Sequence, residues 1–357
     1  MKILFVGNLS EKSTSRQRLG WMQRLGHEVF PLDSEPYFPF KRGWPLWKRV
    51  EQRLGYGPSF LAVNREVLNA AKRLKPELLW IEKGVFLFPR TVAACKNWCG
   101  VSASFHVDDP FTQRSGKIWR HHLAGIKHYD VCFVTKPAVA MDYRGLGAKY
   151  TYQAFHGYDP LVHRPLLNDL KVSNLEKSVI FVGHYEPERV PMMEAVLQHT
   201  PRLFVSGWNW GQCRSLVLQE AGVLHDEGLW GDDYAAAFSQ AGIALNPLTR
   251  NHRDLSTQRS FEIPACGGFM LAERTVEHLL LFREGVEAEF WGDLEELVDK
   301  VKYYLAHPEE ARAIGQRGRE RCLKSGYGYD KCIPRWLEYA MNPKGRMVSD
   351  FEGLFKN

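Results

Sequence analysis

The sequence predicts an α/β fold of two parallel-sheet domains, and three observations carry that expectation. Short apolar runs alternate with segments of helical spacing, the pattern of a parallel sheet covered on both faces. Near residue 178 the pattern restarts in the same order: an apolar run, a glycine, then a loop into a helix. The chain has 357 residues, more than one core usually holds, so two domains are expected.

The elements follow in order. MKILFVGN opens with an apolar run ending in Gly7 and Asn8, which reads as a first strand rather than a signal peptide. From Ser15 to Gly26 the spacing places Leu19, Met22 and Leu25 on one helical face, and Gly26 ends it. HEVFPLD is the second strand. Phe60 to Leu74 is helical and stops before Pro76, and LLWIEKG (78–84) is the next strand. A helix from Pro89 to Trp98 leads to VSASFHVDDP, a strand running into a polar loop. YDVCFVTK (129–136) is another strand, and Pro137 opens a helix at a position proline tolerates. In the second half SVIFVGHYEPER (178–189), RLFVSGW (202–208), GIALNPLT (242–249) and GGFMLAE (267–273) each begin as strands or turn into one. Asp293 to Leu305 and Glu309 to Ser325 are amphipathic helices. KYTYQAFHGYDPLVHRPLLNDLKVSNLEKS has little periodicity, so the hinge falls near Pro160 to Ser178. The expected domains are residues 1–165 and 170–332.

Composition narrows the function classes. Hydrophobic residues at 45% and charged residues at 25% describe an ordinary globular protein and exclude a disordered one. A net charge of +6 suits an anionic ligand or surface without requiring nucleic acid. The seven cysteines are scattered, with no CxxC pair, so reduced thiols in a cytoplasmic protein are expected rather than a zinc site or disulfide framework. No run approaches the ~18 apolar residues of a membrane-spanning helix. There is no GxGxxG after the first strand, no GxxxxGK[ST] loop and no GxSxG elbow.

In parallel sheets, ligands bind beyond the carboxyl ends of strands, and two domains whose strand ends face each other would hold the site in the cleft between them. The richest stretch is NHRDLSTQRSFEIPACGGFMLAE (251–273). Asp254 and Glu262 are separated by seven residues. A carboxylate such as Glu262 can accept from both hydroxyls of a ribose, and small residues at Gly267 and Gly268 let backbone approach a ligand. Arg253 and Arg259 are suited to phosphates. Glu262 also reads as a solvated acid at a helix start, favoured by the dipole. His106, Asp108 and Asp109 follow a strand and fit either acceptor orientation and base catalysis or, for Asp-Asp-Pro, a helix start. His156 reads as a core histidine. Gly7, Asn8 and the segment Ser13 to Arg16 are expected to line an acceptor side. KRGWPLWKRVEQR (41–53) and QRSGKIWRHHLAGIKH (113–128) interleave tryptophan with cations. They fit tryptophans covering a core, or a surface resting on anionic headgroups or an anionic acceptor.

RSFEIPACGGFMLAE, with ALNPLT before it and VDKVKYYLAHPEEARAIGQRGRERC after it, resembles the C-terminal domain of GT-B glycosyltransferases. The resemblance is strongest to the CgeB-like (spore-maturation-type) group, and MKILFVGN, RLGWMQRLGHEVFPLD, FHVDDP and AFHGYDPLVHRP fit its N-terminal half in the same order. It implies two Rossmann-like domains facing across a cleft, with the acceptor on the first and a nucleotide-sugar donor on the second. It also implies retention of configuration, no metal and no cofactor beyond the nucleotide-sugar co-substrate. In retaining members a Glu-x7-Glu motif holds sugar and ribose. Glu262 matches the ribose-binding glutamate, and Asp254 stands at the other position one methylene shorter. GHYEPER resembles the phosphate-side loop, which nominates Gly183 and Arg189. By the same resemblance a C-terminal helix, residues 334–357, packs back on the first domain. Catalytic roles are then expected for His106, Asp108 and Asp254. Nucleotide-sugar 2-epimerases, sugar phosphorylases and a non-catalytic nucleotide-sugar-binding or assembly protein of the same fold are the alternatives. The expected partners are the donor, an acceptor of unidentified chemistry and an anionic surface touched peripherally, such as the inner membrane face.

Overall fold

The computed structural model describes residues 1–38, 45–112, 118–166, 178–249 and 252–356. The start of the 41–53 stretch, the start of the 113–128 stretch and most of the expected hinge lie outside the described residues. The chain divides into two compact units. The first comprises Met1–Phe155, Asn251–Arg253 and Tyr329–Asn357, and the second His156–Arg250 and Asp254–Gly328.

Thirteen strands build two sheets among the described residues: β1 (Lys2–Gly7), β2 (Glu28–Asp33), β3 (Leu78–Glu82), β4 (Val101–His106), β5 (Val131–Val134), β6 (Tyr150–Gln153), β7 (Val179–Val182), β8 (Leu203–Ser206), β9 (Leu224–His225), β10 (Ile243–Asn246), β11 (Met270–Glu273), β12 (Glu289–Trp291) and β13 (Met347–Ser349). The first unit orders its strands β13-β6-β5-β4-β3-β1-β2 and the second β12-β11-β10-β7-β8-β9. Every pairing is parallel. The apolar runs become central strands because helices cover both faces. Ile3, Leu4, Phe5 and Val6 are all buried in β1, as are Val179 to Val182 in β7. The second sheet has the Rossmann strand order. The first has the related order in which the chain reverses between β1 and β3.

Three elements differ from the sequence reading. KYTYQAF was placed in the linker, yet Tyr150–Gln153 pairs with β5 and Met347–Ser349 pairs with it in turn. Four residues are too few for a periodic signal, and a long-range partner decides. The last helix runs Tyr329–Met341 rather than 334–357, and residues 347–349 form a strand. Its buried Tyr329, Cys332, Ile333, Trp336 and Ala340 recur at helical spacing, and the helix packs against helix Thr14–Arg24 and β4. The tail is anchored by buried Asp350, which accepts from Tyr152 Oη (2.7 Å), Phe155 N (2.8 Å) and Trp336 Nε1 (2.9 Å).

Candidate functional site

In the second sheet β7 has β8 on one side and β10 on the other, so the strand order reverses there, and the loops after β7 and β10 flank the place where sheets of this order bind ligands. Arg259 spans that point. Its Nη1 donates to Val182 O (3.0 Å), its Nη2 to Pro247 O (3.2 Å) and its Nε to Asn246 Oδ1 (3.1 Å). Gly183 is glycine for room, because a Cβ there would run into Arg259 Nη1 and the Phe181 ring. Arg189, from the loop after β7, is buried and donates from Nη1 to His184 O (2.6 Å). Its Nε has no partner among the described residues. The Arg189 and Arg259 guanidinium groups lie 5.2 and 5.1 Å from the Phe181 ring centroid. Burial, then the neighbouring Arg259 charge, pulls the Arg189 pKa down to about 10 against the opposing pull of Glu186, Glu188 and Asp254, and burial likewise lowers Arg259 against Tyr234, Glu262 and Asp254. A buried and a half-buried cation that repel each other, the buried one with an N–H unfilled among the described residues, form a place for an anion.

Glu262 sits in the first turn of helix Arg259–Ala265, whose start is held by a buried polar chain. Asn246 Nδ2 donates to Ser260 Oγ (3.0 Å), which meets His278 Nε2 at 2.8 Å, and His278 Nδ1 reaches Glu273 O at 2.6 Å. Glu262 is buried, not the solvated acid of the alternative reading. Its Oε2 accepts from Tyr234 Oη (2.5 Å), whose pKa rises well above the ordinary value through burial and then the carboxylate. Its Oε1 faces His163 Nε2 at 3.4 Å. His163 Nδ1 accepts from Asp159 N (3.1 Å), so the neutral ring carries its proton on Nε2, toward Glu262. At that long distance Oε1 keeps acceptor capacity for a further hydroxyl. Asp254 is half-buried and close enough to act on the charges of Arg189 and Arg259. Tyr234 and His163 were not singled out from the sequence, although His163 lies within AFHGYDPLVHRP, and only folding brings them to Glu262.

Other nominated residues do different work. Gly267 and Gly268 close the far end of helix Arg259–Ala265, ahead of β11, at the sheet edge opposite the strand carboxyl ends. Gly267 has φ +78°, and a Cβ on Gly268 would strike Phe238 O. Their requirement is a helix stop and tight packing, not a donor. Arg253, nominated for phosphates, is paired with carboxylates instead. It groups with the first unit, where Nε and Nη2 grip buried Asp109 at 2.5 and 2.9 Å and Nη2 also reaches Asp142 at 2.8 Å. Asp109 is accordingly a buried carboxylate held in an ion pair with Arg253. His106 is not available as a base. Nδ1 bonds Asp108 O (3.1 Å), Nε2 accepts from Tyr143 Oη, and burial drops its pKa to about 4. Asp108 pairs with Lys83 at 2.7 Å. Burial alone would raise it, but Lys83 and then Lys136 hold it at about 2, so it is a poor proton acceptor near neutrality.

In the first unit Gly7 ends β1 at the point of chain reversal, where a Cβ would press on Glu82. Asn8 Oδ1 accepts from Ser10 N (3.0 Å) and its amide donates to Glu35. Ser13 caps helix Thr14–Arg24 by accepting from Arg16 N, and the Arg16 side chain is exposed. Beside them lies a pair the sequence reading missed. Buried Arg18 grips Glu82 through Nε (2.9 Å) and Nη2 (2.8 Å) and donates to Tyr329 Oη at 3.1 Å. His156 is buried, 6.4 Å from Phe261 between ring centroids.

Two Rossmann-like units of parallel sheet flanked by helices are the GT-B fold. Residues 189–338 match the model of a family described as glycosyl transferase-like. Among solved structures, the chain is similar to sucrose-phosphate synthase from Thermosynechococcus elongatus, with 14% identity over 95% of this chain and 98% of that one and a TM-score of 0.64. It is also similar to Anabaena HepE in complex with UDP-glucose, with 10% identity, 95% and 100% coverage and a TM-score of 0.64. A putative UDP-N-acetylglucosamine 2-epimerase from Listeria monocytogenes shares 13% identity over 98% of each chain, with a TM-score of 0.53. No curated protein sequence matches the chain. No described helix is long and apolar enough to cross a membrane.

Proposed function

We propose that this protein is a glycosyltransferase of the CgeB-like group that takes its sugar from a nucleoside diphosphate sugar bound in the second unit. One observation carries the reading: buried Arg189 and half-buried Arg259 sit side by side at the sheet's switch point, and Arg189 Nε points at no partner among the described residues. A diphosphate supplies an acceptor for that N–H and negative charge beside both guanidinium groups. Gly183 keeps the approach open, Glu262 takes the ribose hydroxyls and Asp254 the sugar side. The arginines stabilise the departing diphosphate as charge develops, with retention of configuration and no metal. The family match over 189–338 covers most of this unit, from Arg189 on. UDP is the first nucleotide to try, because HepE is found with UDP-glucose.

The test is a melting-temperature screen of nucleoside diphosphates followed by incubation with the matching nucleotide-sugars. A ligand at a hundredfold its Kd stabilises by roughly 2.7 kcal/mol, a shift of several degrees. Acceptor-dependent release of the diphosphate supports transfer. Conversion of the donor alone to its 2-epimer would identify an epimerase instead. No stabilisation by any nucleoside diphosphate would overturn the donor-site reading.

A further inference from the structure

Helix Leu46–Leu54 is built inside out. Its one acid, Glu51, is buried and accepts from Ser59 N at 2.5 Å. Its apolar residues face outward: Leu46 is 77% exposed, Trp47 55%, Val50 48% and Leu54 60%. At 100° per residue these four share one arc of roughly 100°. Exposed Arg53 and Arg49 follow along one border of the arc. A water-facing helix normally shows its charges and hides its leucines. Single exposed apolar residues need no explanation, but four on one arc beside cations with no ion pair among the described residues do.

We infer that this face docks on an anionic lipid bilayer. The charge pattern selects the occupant. An apolar arc with tryptophan at its edge suits the headgroup boundary, the arginines beside it suit lipid phosphates, and turning Glu51 inward removes the one carboxylate of the helix that would repel them. A second copy of the chain would set the same arginines against each other across a two-fold axis. The surface lies within the first unit and is independent of the donor site.

The test is co-sedimentation of the full chain with vesicles of phosphatidylcholine alone or mixed with phosphatidylglycerol. The wild type should pellet with the anionic vesicles, less so as salt rises, and weakly with the neutral ones. A cation at an anionic surface contributes about fivefold in partitioning, so Arg49→Glu with Arg53→Glu should cost on the order of 25-fold or more. Trp47→Ser with Leu54→Ser should weaken binding at low and high salt alike. Both variants change exposed side chains, so melting temperature and nucleotide affinity should stay at wild-type values. Three results would overturn the inference: a wild type that stays in the supernatant with anionic vesicles, a charge-reversed variant that pellets like the wild type, or a concentration-dependent dimer abolished by the Trp47 and Leu54 changes.

Discussion

Replacing Arg189 by methionine separates a ligand site from a structural arginine. The guanidinium is buried, and burial together with Arg259 brings its pKa from 12.5 to about 10. At 1.36 kcal/mol per unit, its charge is disfavoured by about 3 kcal/mol in the unliganded protein. Against this stands the hydrogen bond to His184 O at 2.6 Å, worth about 1.5–3 kcal/mol for a charged donor. Contact with Phe181 is largely kept by methionine, which fills such gaps and packs on aromatic rings. The opposing effects nearly cancel, so Arg189→Met should unfold in urea within about 1–2 kcal/mol of the wild type. Nucleotide binding should suffer far more. One charge-assisted hydrogen bond to phosphate amounts to about 1.5–3 kcal/mol, or roughly 10- to 150-fold in Kd. Calorimetric titration with the best-stabilising nucleoside diphosphate, beside urea curves, reads both quantities. A variant that loses several kcal/mol of stability yet binds nucleotide like the wild type would refute the anion-site reasoning and return Arg189 to a packing role.

Three further outcomes are expected. Glu262→Gln should lower nucleotide affinity at least tenfold, about 1.4 kcal/mol, by titration calorimetry; because the carboxylate is buried against Tyr234, it should also cost about 1–3 kcal/mol of stability. Unchanged affinity in the folded variant would remove the ribose assignment. His106 and His278 are buried with pKa values near 4, so between pH 6.5 and 4 the unfolded chain binds more protons than the folded one. Stability should therefore fall as pH drops through that window, by about 2 kcal/mol per histidine at pH 5, and a flat urea midpoint from pH 7 to 5 would contradict it. Asp350→Ala leaves buried donors of Tyr152, Phe155 and Trp336 without their acceptor and should cost at least about 3 kcal/mol; a loss under about 1 kcal/mol would show that the tail is not anchored there.

What the sequence determined by itself is local and periodic. Buried strands such as Ile3 to Val6 and Val179 to Val182 announce a parallel sheet because both their faces must be apolar. The restart after residue 178 announces a second sheet. Arg259 and Glu262 were nominated from the chemistry of the 251–273 stretch, and Gly183 and Arg189 by the resemblance of GHYEPER to the phosphate-side loop of GT-B glycosyltransferases; all lie in segments after strands. What only the tertiary structure decided is which charges meet. Arg253 and Arg259 look alike in the same loop. One closes on Asp109, 144 residues away, while the other fans across two strand ends. His106 looked like a base until Tyr143 and burial took up its ring nitrogens, and Gly267 and Gly268 looked like a ligand turn until they fell at the opposite sheet edge. That Tyr234 and His163 meet Glu262, and Arg18 meets Glu82, had no local signal. Hydrogen bonds and ion pairs are set by distances of a few ångströms between residues far apart in the chain, whereas hydrophobic periodicity repeats within each element.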